Sequence, residues 1–162
     1  MNILFVCTAN ISRSFFAEML FKSEAKLNNL DHIAVSSAGT HAHEGTPPDP
    51  EMIQYLSEMD VPIESHQAKR VSKDLVDWAD RILVMEKDHA EIIEHQWPEA
   101  KKKLDLFGKY ISDDYLVDDI IDPYGRSMFH YRLARSQISM AIRNLLKEYL
   151  PHKNAQNKDH SS

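Results

Sequence analysis

One cysteine, Cys7, stands in a chain of 162 residues. That scarcity excludes an intramolecular disulfide framework and a cysteine-built zinc cluster, and it fits a reducing compartment. Positive charge is also short, with 19 Lys and Arg against 25 Asp and Glu for a formal net charge of -6. An extended nucleic-acid or membrane-surface footprint is therefore not expected, and any anion site must be built locally. Long apolar runs are missing too. The opening Met1-Asn2-Ile3-Leu4-Phe5-Val6 has no basic start and is too short for a signal-peptide core or a membrane span, so the expected location is cytoplasmic. There is no internal repeat and no linker long enough to divide the chain. A 43% apolar content at this length suits one compact domain, expected over 1–150, followed by a polar tail at 151–162 expected to be disordered.

What is present alternates between strand and helix signals. Ile3 to Val6 reads as a strand buried on both faces, and Ser14 to about Asn28 as a helix with Phe16, Met19, Leu20 and Leu27 near one face. Ile33 to Ser36 is a second β-rich run, ending in Ser-Ala-Gly before the turn-rich stretch from Gly45 to Pro50. A helix from about Glu51 to Met59 follows. Arg81 to Met85 reads as a third strand, Glu86 to His95 as helix, and Leu104 to Phe107 as a short last strand. Ala134, Ile138, Ala141, Ile142, Leu145 and Tyr149 fall at helical spacings, in a helix stopped by Pro151. Such alternation implies an α/β fold with a parallel sheet covered on both faces and ligands at the carboxyl ends of its strands.

The chemistry concentrates in Cys7-Thr8-Ala9-Asn10-Ile11-Ser12-Arg13-Ser14, where the first strand ends and a helix begins. A turn there points successive backbone N–H groups into one concavity, and the helix dipole adds to them, making a cradle for an oxyanion. A thiol held against a helix N-terminus and a guanidinium is favoured as the nucleophilic thiolate. Arg13, six positions on, can hold two phosphate oxygens with its planar fork and stay charged throughout. The Ser14 hydroxyl either donates to the Cys7 sulfur or caps the helix. A lone cysteine ending a strand is also compatible with an inert buried residue, but a charged Arg13 close behind a buried strand needs an anionic partner. Asp122, in Asp118-Asp119-Ile120-Ile121-Asp122-Pro123-Tyr124-Gly125, is the candidate acid for a departing oxygen, with an ordinary Asp-Pro turn as its alternative. Asp118 and Asp119 read as solvated loop charges. His41 and His43, without a placed carboxylate or cysteine, are read as loop residues near the pocket entrance, and neither metal nor cofactor is expected.

Assembled in order, these pieces resemble the low-molecular-weight protein-tyrosine phosphatase family from Asn2 to about Leu150. The matching segments are V-C-x-x-N-I-x-R-S at Val6 to Ser14, A-E at Ala17-Glu18, S-A-G-T at Ser37 to Thr40, His66, D-R-I-L-V-M at Asp80 to Met85, and D-P-Y at Asp122 to Tyr124. The resemblance implies a three-layer α/β sandwich on a four-stranded parallel sheet, with the phosphatase loop after the first strand. It further implies Cys7 as nucleophile, Arg13 as phosphate ligand and Asp122 as acid, then base toward water. Thr8, Ala9, Asn10, Ile11, Ser12 and Ser14 would form the loop, with Asn10 in a left-handed conformation held by a network that includes His66. Tyr124, with His41 at the entrance, would wall the substrate. A phosphotyrosine-containing protein is the implied partner, tyrosine kinases of polysaccharide export being one class.

Three positions depart from the family. Ala9 replaces a usual glycine, so a positive φ there would cost about 1 kcal/mol or more. Ser12 replaces the second cysteine, removing a disulfide partner for an oxidised Cys7. Phe15 replaces a frequent proline and is expected near the pocket rim. Related arsenate reductases need further cysteines, which this chain lacks. An arginine-phosphatase branch favours threonine where Ile11 stands. A phosphate-binding module without turnover is the reading from another class, opposed by retention of Cys7, Arg13 and Asp122 together.

Overall fold

Strands buried on both faces need apolar residues at successive positions, and in β1 (Asn2–Cys7) everything from Ile3 onward is buried. Alternation then divides these side chains between two cores. Ile3, Phe5 and Cys7 face one, while Leu4 and Val6 face the other. The computed structural model describes residues 1–112 and 119–151. Along them follow α1 (Arg13–Leu27), β2 (Ala34–Gly39), α2 (Pro50–Glu58), α3 (Lys73–Trp78), β3 (Arg81–Val84), α4 (Lys87–Gln96), β4 (Leu104–Leu106) and α5 (Met128–Lys147). Asp118 and the tail from His152 onward lie outside the described residues.

The four strands run parallel in the order β2-β1-β3-β4. Helices α1, α2 and α5 supply the larger core on one face, and α3 and α4 the smaller on the other, giving the expected three-layer α/β sandwich. Because β1 lies between β2 and β3, the chain leaves it toward one edge and later returns to its other side. The carboxyl ends of β1 and β3 thus flank a topological switch point, the crevice where parallel sheets place their ligands. No helix among the described residues is long and apolar enough to cross a membrane.

Scarce glycine leaves its mark on two helix ends. Asn29 at φ 57 closes α1, and Asp60 at φ 56 closes α2, in the left-handed conformation usually given to glycine. Leu30 N–H then reaches the Ala25 carbonyl at 2.8 Å, and Val61 N–H the Leu56 carbonyl at 2.9 Å. This reversal overturns the expectation for Leu27. Leu30, not Leu27, turns into the core, and Leu27 is 75% exposed. Helix α5 starts at Met128 and ends at Lys147, ahead of Pro151, so Tyr149 lies beyond it and accepts a hydrogen bond from Arg81 at 2.6 Å. The short α3 escaped the periodicity reading; its signal is Ser72, whose hydroxyl accepts from Leu75 N–H at 3.3 Å.

Phe107 is fully buried, its ring meeting Phe5 edge-on at 5.1 Å. Phe107→Ala should cost about 3–5 kcal/mol in urea denaturation, against about 0.5 kcal/mol or less for Leu27→Ala.

Candidate active site

Between β1 and α1 the chain turns through a loop whose carbonyls are taken from outside. Thr40 and His41 N–H groups donate to the carbonyls of Cys7 and Thr8, and Asp49 N–H to that of Ile11, each at 2.9 Å. The Nε2 of His66 lies 2.8 Å from the Asn10 carbonyl and must carry the proton there, since a carbonyl only accepts. With the carbonyls turned outward, no acceptor among the described residues takes the N–H groups of Thr8, Ala9, Ile11, Ser12, Arg13 and Ser14. These amides can serve an anion. Gly39 permits the close approach from β2, because a Cβ there would collide with the Thr8 carbonyl oxygen.

Asn10 has φ 58, the left-handed conformation expected of it. Its side chain is fixed at both ends. Oδ1 accepts from Lys69 N–H at 3.0 Å, while Nδ2 donates to Ser14 Oγ and Ser37 Oγ, each at 2.9 Å. The Ser37 hydroxyl in turn donates a hydrogen bond to Glu18 Oε1 at 2.7 Å. Since Ser14 Oγ already accepts from Asn10, its hydroxyl proton is directed to Cys7 Sγ, 2.9 Å away. Asn10 N–H reaches the same sulfur at 3.3 Å. Ser14 is therefore a donor to sulfur rather than the helix cap, a position occupied by Ser12. Glu18 and Ser37 belong to motifs legible in the sequence, but their link to sulfur was not.

Arg13, 1% exposed, faces this loop, and Cys7 is 3% exposed. Nη1 is anchored by two short bonds, to Glu86 Oε2 at 2.7 Å and to the Ile120 carbonyl at 2.8 Å. Nη2 is held loosely, 3.4 Å from Thr8 Oγ1 and 3.6 Å from Asp122 Oδ2. Glu86, just beyond β3, was missed as a site residue, although a buried arginine demands a carboxylate nearby. The loop carrying Asp122 is tied to the end of β3 by Ile120 N–H, which donates to the Met85 carbonyl at 2.8 Å. Asp119 is exposed yet not simply solvated: its Oδ1 accepts from Lys87 N–H at 2.8 Å, at the start of α4. Asp122 Oδ1 accepts from Tyr124 N–H at 3.1 Å, so the Asp-Pro turn and the approach to Arg13 occur together. Tyr124 is 60% exposed, and His41 is exposed with its Nδ1 2.9 Å from Thr40 Oγ1. Among the described residues no group of three His, Cys, Asp or Glu side chains could hold a metal ion.

Of the three departures, Ala9 and Phe15 differ from expectation, and Ser12 gains a structural role. Ala9 is absent from the positive-φ residues, so the anticipated strain does not arise; Asn10 alone in the loop makes the left-handed turn. The Ser12 side chain donates to Asp49 Oδ2 at 2.5 Å, and Tyr131 donates to the same oxygen at 2.6 Å. Asp49 also accepts from Glu51 N–H at 3.0 Å and so joins the loop to α2 and α5. Phe15 is not at a rim. It is fully buried, its ring against His66 at 4.8 Å between centroids. Ile11 is buried with Ala42 and Ala68, and Ala9 packs beside them.

A further residue escaped the sequence reading. His89, 3% exposed, lies 2.8 Å through Nε2 from Thr8 Oγ1, and its Nδ1 accepts from Glu86 N–H at 3.1 Å. Burial, reinforced by the positive charges of Arg13 and His41, pushes His89 down from 6.5 to about 3. An unfolded chain would take up this proton near 6.5, so folding stability is fully present above that pH and falls as pH drops toward 3. The limiting slope is about 1.4 kcal/mol per pH unit. His89→Gln should flatten the decline in urea midpoint on acidification relative to the unaltered protein, with the two curves running parallel above about pH 7.

Residues 2–157 match the family model described as low molecular weight phosphotyrosine protein phosphatase. A protein-arginine-phosphatase of Bacillus subtilis (strain 168) is 32% identical over 148 residues, 91% of this chain and 96% of that protein. The low molecular weight protein-tyrosine-phosphatase Wzb of Escherichia coli (strain K12) is 36% identical over 126 residues, 78% of this chain and 80% of that protein. The crystal structure of a YwlE mutant from Bacillus subtilis superposes with a TM-score of 0.83 at 32% identity, covering 92% of this chain and 98% of that one. With the family model spanning nearly the whole length, the chain belongs to the low molecular weight phosphotyrosine protein phosphatase family.

Proposed function

We propose that this phosphatase hydrolyses phosphotyrosine in proteins through a phosphocysteine intermediate on Cys7. The observation that carries the reading is the meeting of Cys7 Sγ, the loosely held Nη2 of Arg13 and a run of unclaimed loop amides at one strand end. In the first step the sulfur attacks phosphorus, the bond from phosphorus to the tyrosyl oxygen breaks, and Asp122 gives its proton to the departing phenoxide. The loop amides and Arg13 take the charge on the equatorial oxygens. In the second step water attacks phosphorus and gives a proton to the Asp122 carboxylate. The phosphorus-sulfur bond breaks, inorganic phosphate leaves, and the Ser14 hydroxyl supports the returning thiolate.

Ile11 favours phosphotyrosine. It packs in a buried apolar cluster with Ala42 and Ala68, Ala9 beside them, and its side chain offers no acceptor to a guanidinium, whose N–H groups need one. Phosphoarginine in proteins is the second reading, supported by the long, nearly full-length match to the protein-arginine-phosphatase of Bacillus subtilis.

Phosphotyrosine, phosphoarginine and phosphoserine peptides assayed under one set of conditions separate the readings. Phosphotyrosine should give the highest kcat/KM, and a phosphoarginine preference would overturn the assignment in favour of the second reading. Cys7→Ser should abolish turnover of every peptide while phosphate still binds; surviving hydrolysis would refute the nucleophile. Asp122→Asn should slow aryl phosphates with poor leaving groups roughly 100-fold or more, and good leaving groups less. Equal slowing would remove Asp122 from the acid role.

A further inference from the structure

The hydroxyl of Thr8 stands directly after Cys7, and its oxygen is approached from two sides. His89 Nε2 lies 2.8 Å away and Arg13 Nη2 3.4 Å away. A guanidinium can only donate. The imidazole could do either, so its proton position decides what Thr8 offers to a ligand.

That position is set at the other ring nitrogen. Glu86 N–H donates to Nδ1 at 3.1 Å, and a backbone amide has no other role, so Nδ1 presents its lone pair. The ring is neutral near pH 7 because burial and the Arg13 guanidinium oppose protonation. A neutral ring with a bare Nδ1 carries its proton on Nε2. Glu86 Oε2, at 3.6 Å from Nε2, is too distant to claim that proton. Nε2–H therefore donates to Thr8.

Thr8 Oγ1 then accepts from His89 and from Arg13, and no acceptor among the described residues takes its own proton. The hydroxyl lies beside Nη2, the guanidinium nitrogen that Glu86 leaves unanchored, where an anion drawn to that nitrogen would sit. We infer that His89 is a positioning residue which fixes the Thr8 hydroxyl as a donor to a phosphoryl oxygen, alongside the loop amides and Arg13. This rests on the phosphatase reading above. Had the imidazole the opposite tautomer, Thr8 would donate to His89 and turn lone pairs toward the anion, repelling it. A side chain on α4 thus decides whether the first loop residue attracts or opposes the phosphate.

Calorimetric binding of inorganic phosphate to the full chain tests this without turnover. Thr8→Val and His89→Leu should each weaken phosphate roughly tenfold or more, as loss of a hydrogen bond to a charged group does. The double variant should be little weaker than either single one, and His89→Gln, which retains a donor near the Nε2 position, should keep most of the affinity. Additive losses, or unchanged affinity in Thr8→Val, would overturn the inference. Nitrogen NMR of the unaltered protein covers the case in which His89→Leu fails to fold: a proton on Nε2 near neutral pH is expected, and a proton on Nδ1 refutes the mechanism. Turnover surviving in Cys7→Ser would sink the phosphocysteine mechanism but leave this coupling measurable, so the two failures are distinct.

Discussion

The site depends on which way the peptide groups of one short loop face. Every amide that turns inward requires its neighbouring carbonyls to be satisfied elsewhere, and here Thr40, His41, Asp49 and His66 satisfy them. These donors come from the end of β2, the segment before α2 and the loop before α3. Three stretches distant in sequence thereby hold the turn open against its tendency to close into ordinary helix bonding. Asn10 supplies the reversal that makes this possible, and its left-handed backbone persists because both ends of its side chain are engaged.

Burying a guanidinium beside this loop costs several kcal/mol of lost hydration. Glu86 and the Ile120 carbonyl offset that cost at one nitrogen, which leaves the other available. The division of labour follows from the sheet. β1 carries Cys7 and leads into Arg13, while the adjacent β3 carries Glu86 immediately past its end, so parallel pairing of the two strands brings carboxylate to guanidinium. Loop, clamp and anchor therefore form one unit with the switch point of the fold.

Much of this was legible from residue order. The buried strand ending in Cys7, the arginine six positions on, and the Asp122-Pro123-Tyr124 loop could be read directly because each is a local pattern. The missing parts are long-range. Glu86 and His89 lie more than 70 positions from Arg13 and Thr8, and nothing in a helix start such as Glu-Lys-Asp-His announces a partner that far away. Asp49 caps α2, but its ties to Ser12 and Tyr131 require three elements to be docked. Leu27 and Phe15 show the same limit in packing. Periodicity assigns a face, but where the helix ends and what crosses it decide whether that face is covered.

Parallel strands also give the sheet two unlike ends. Asn2 opens β1 and Arg81 opens β3, while Tyr149, past the last helix, binds Arg81. Both outer ends of the described chain consequently gather on the floor of the sheet, about 20 Å of strand from the sulfur. A tether, label or fused domain attached at that floor would leave the mouth unobstructed, so the molecule can be anchored to a surface with its reactive side facing outward.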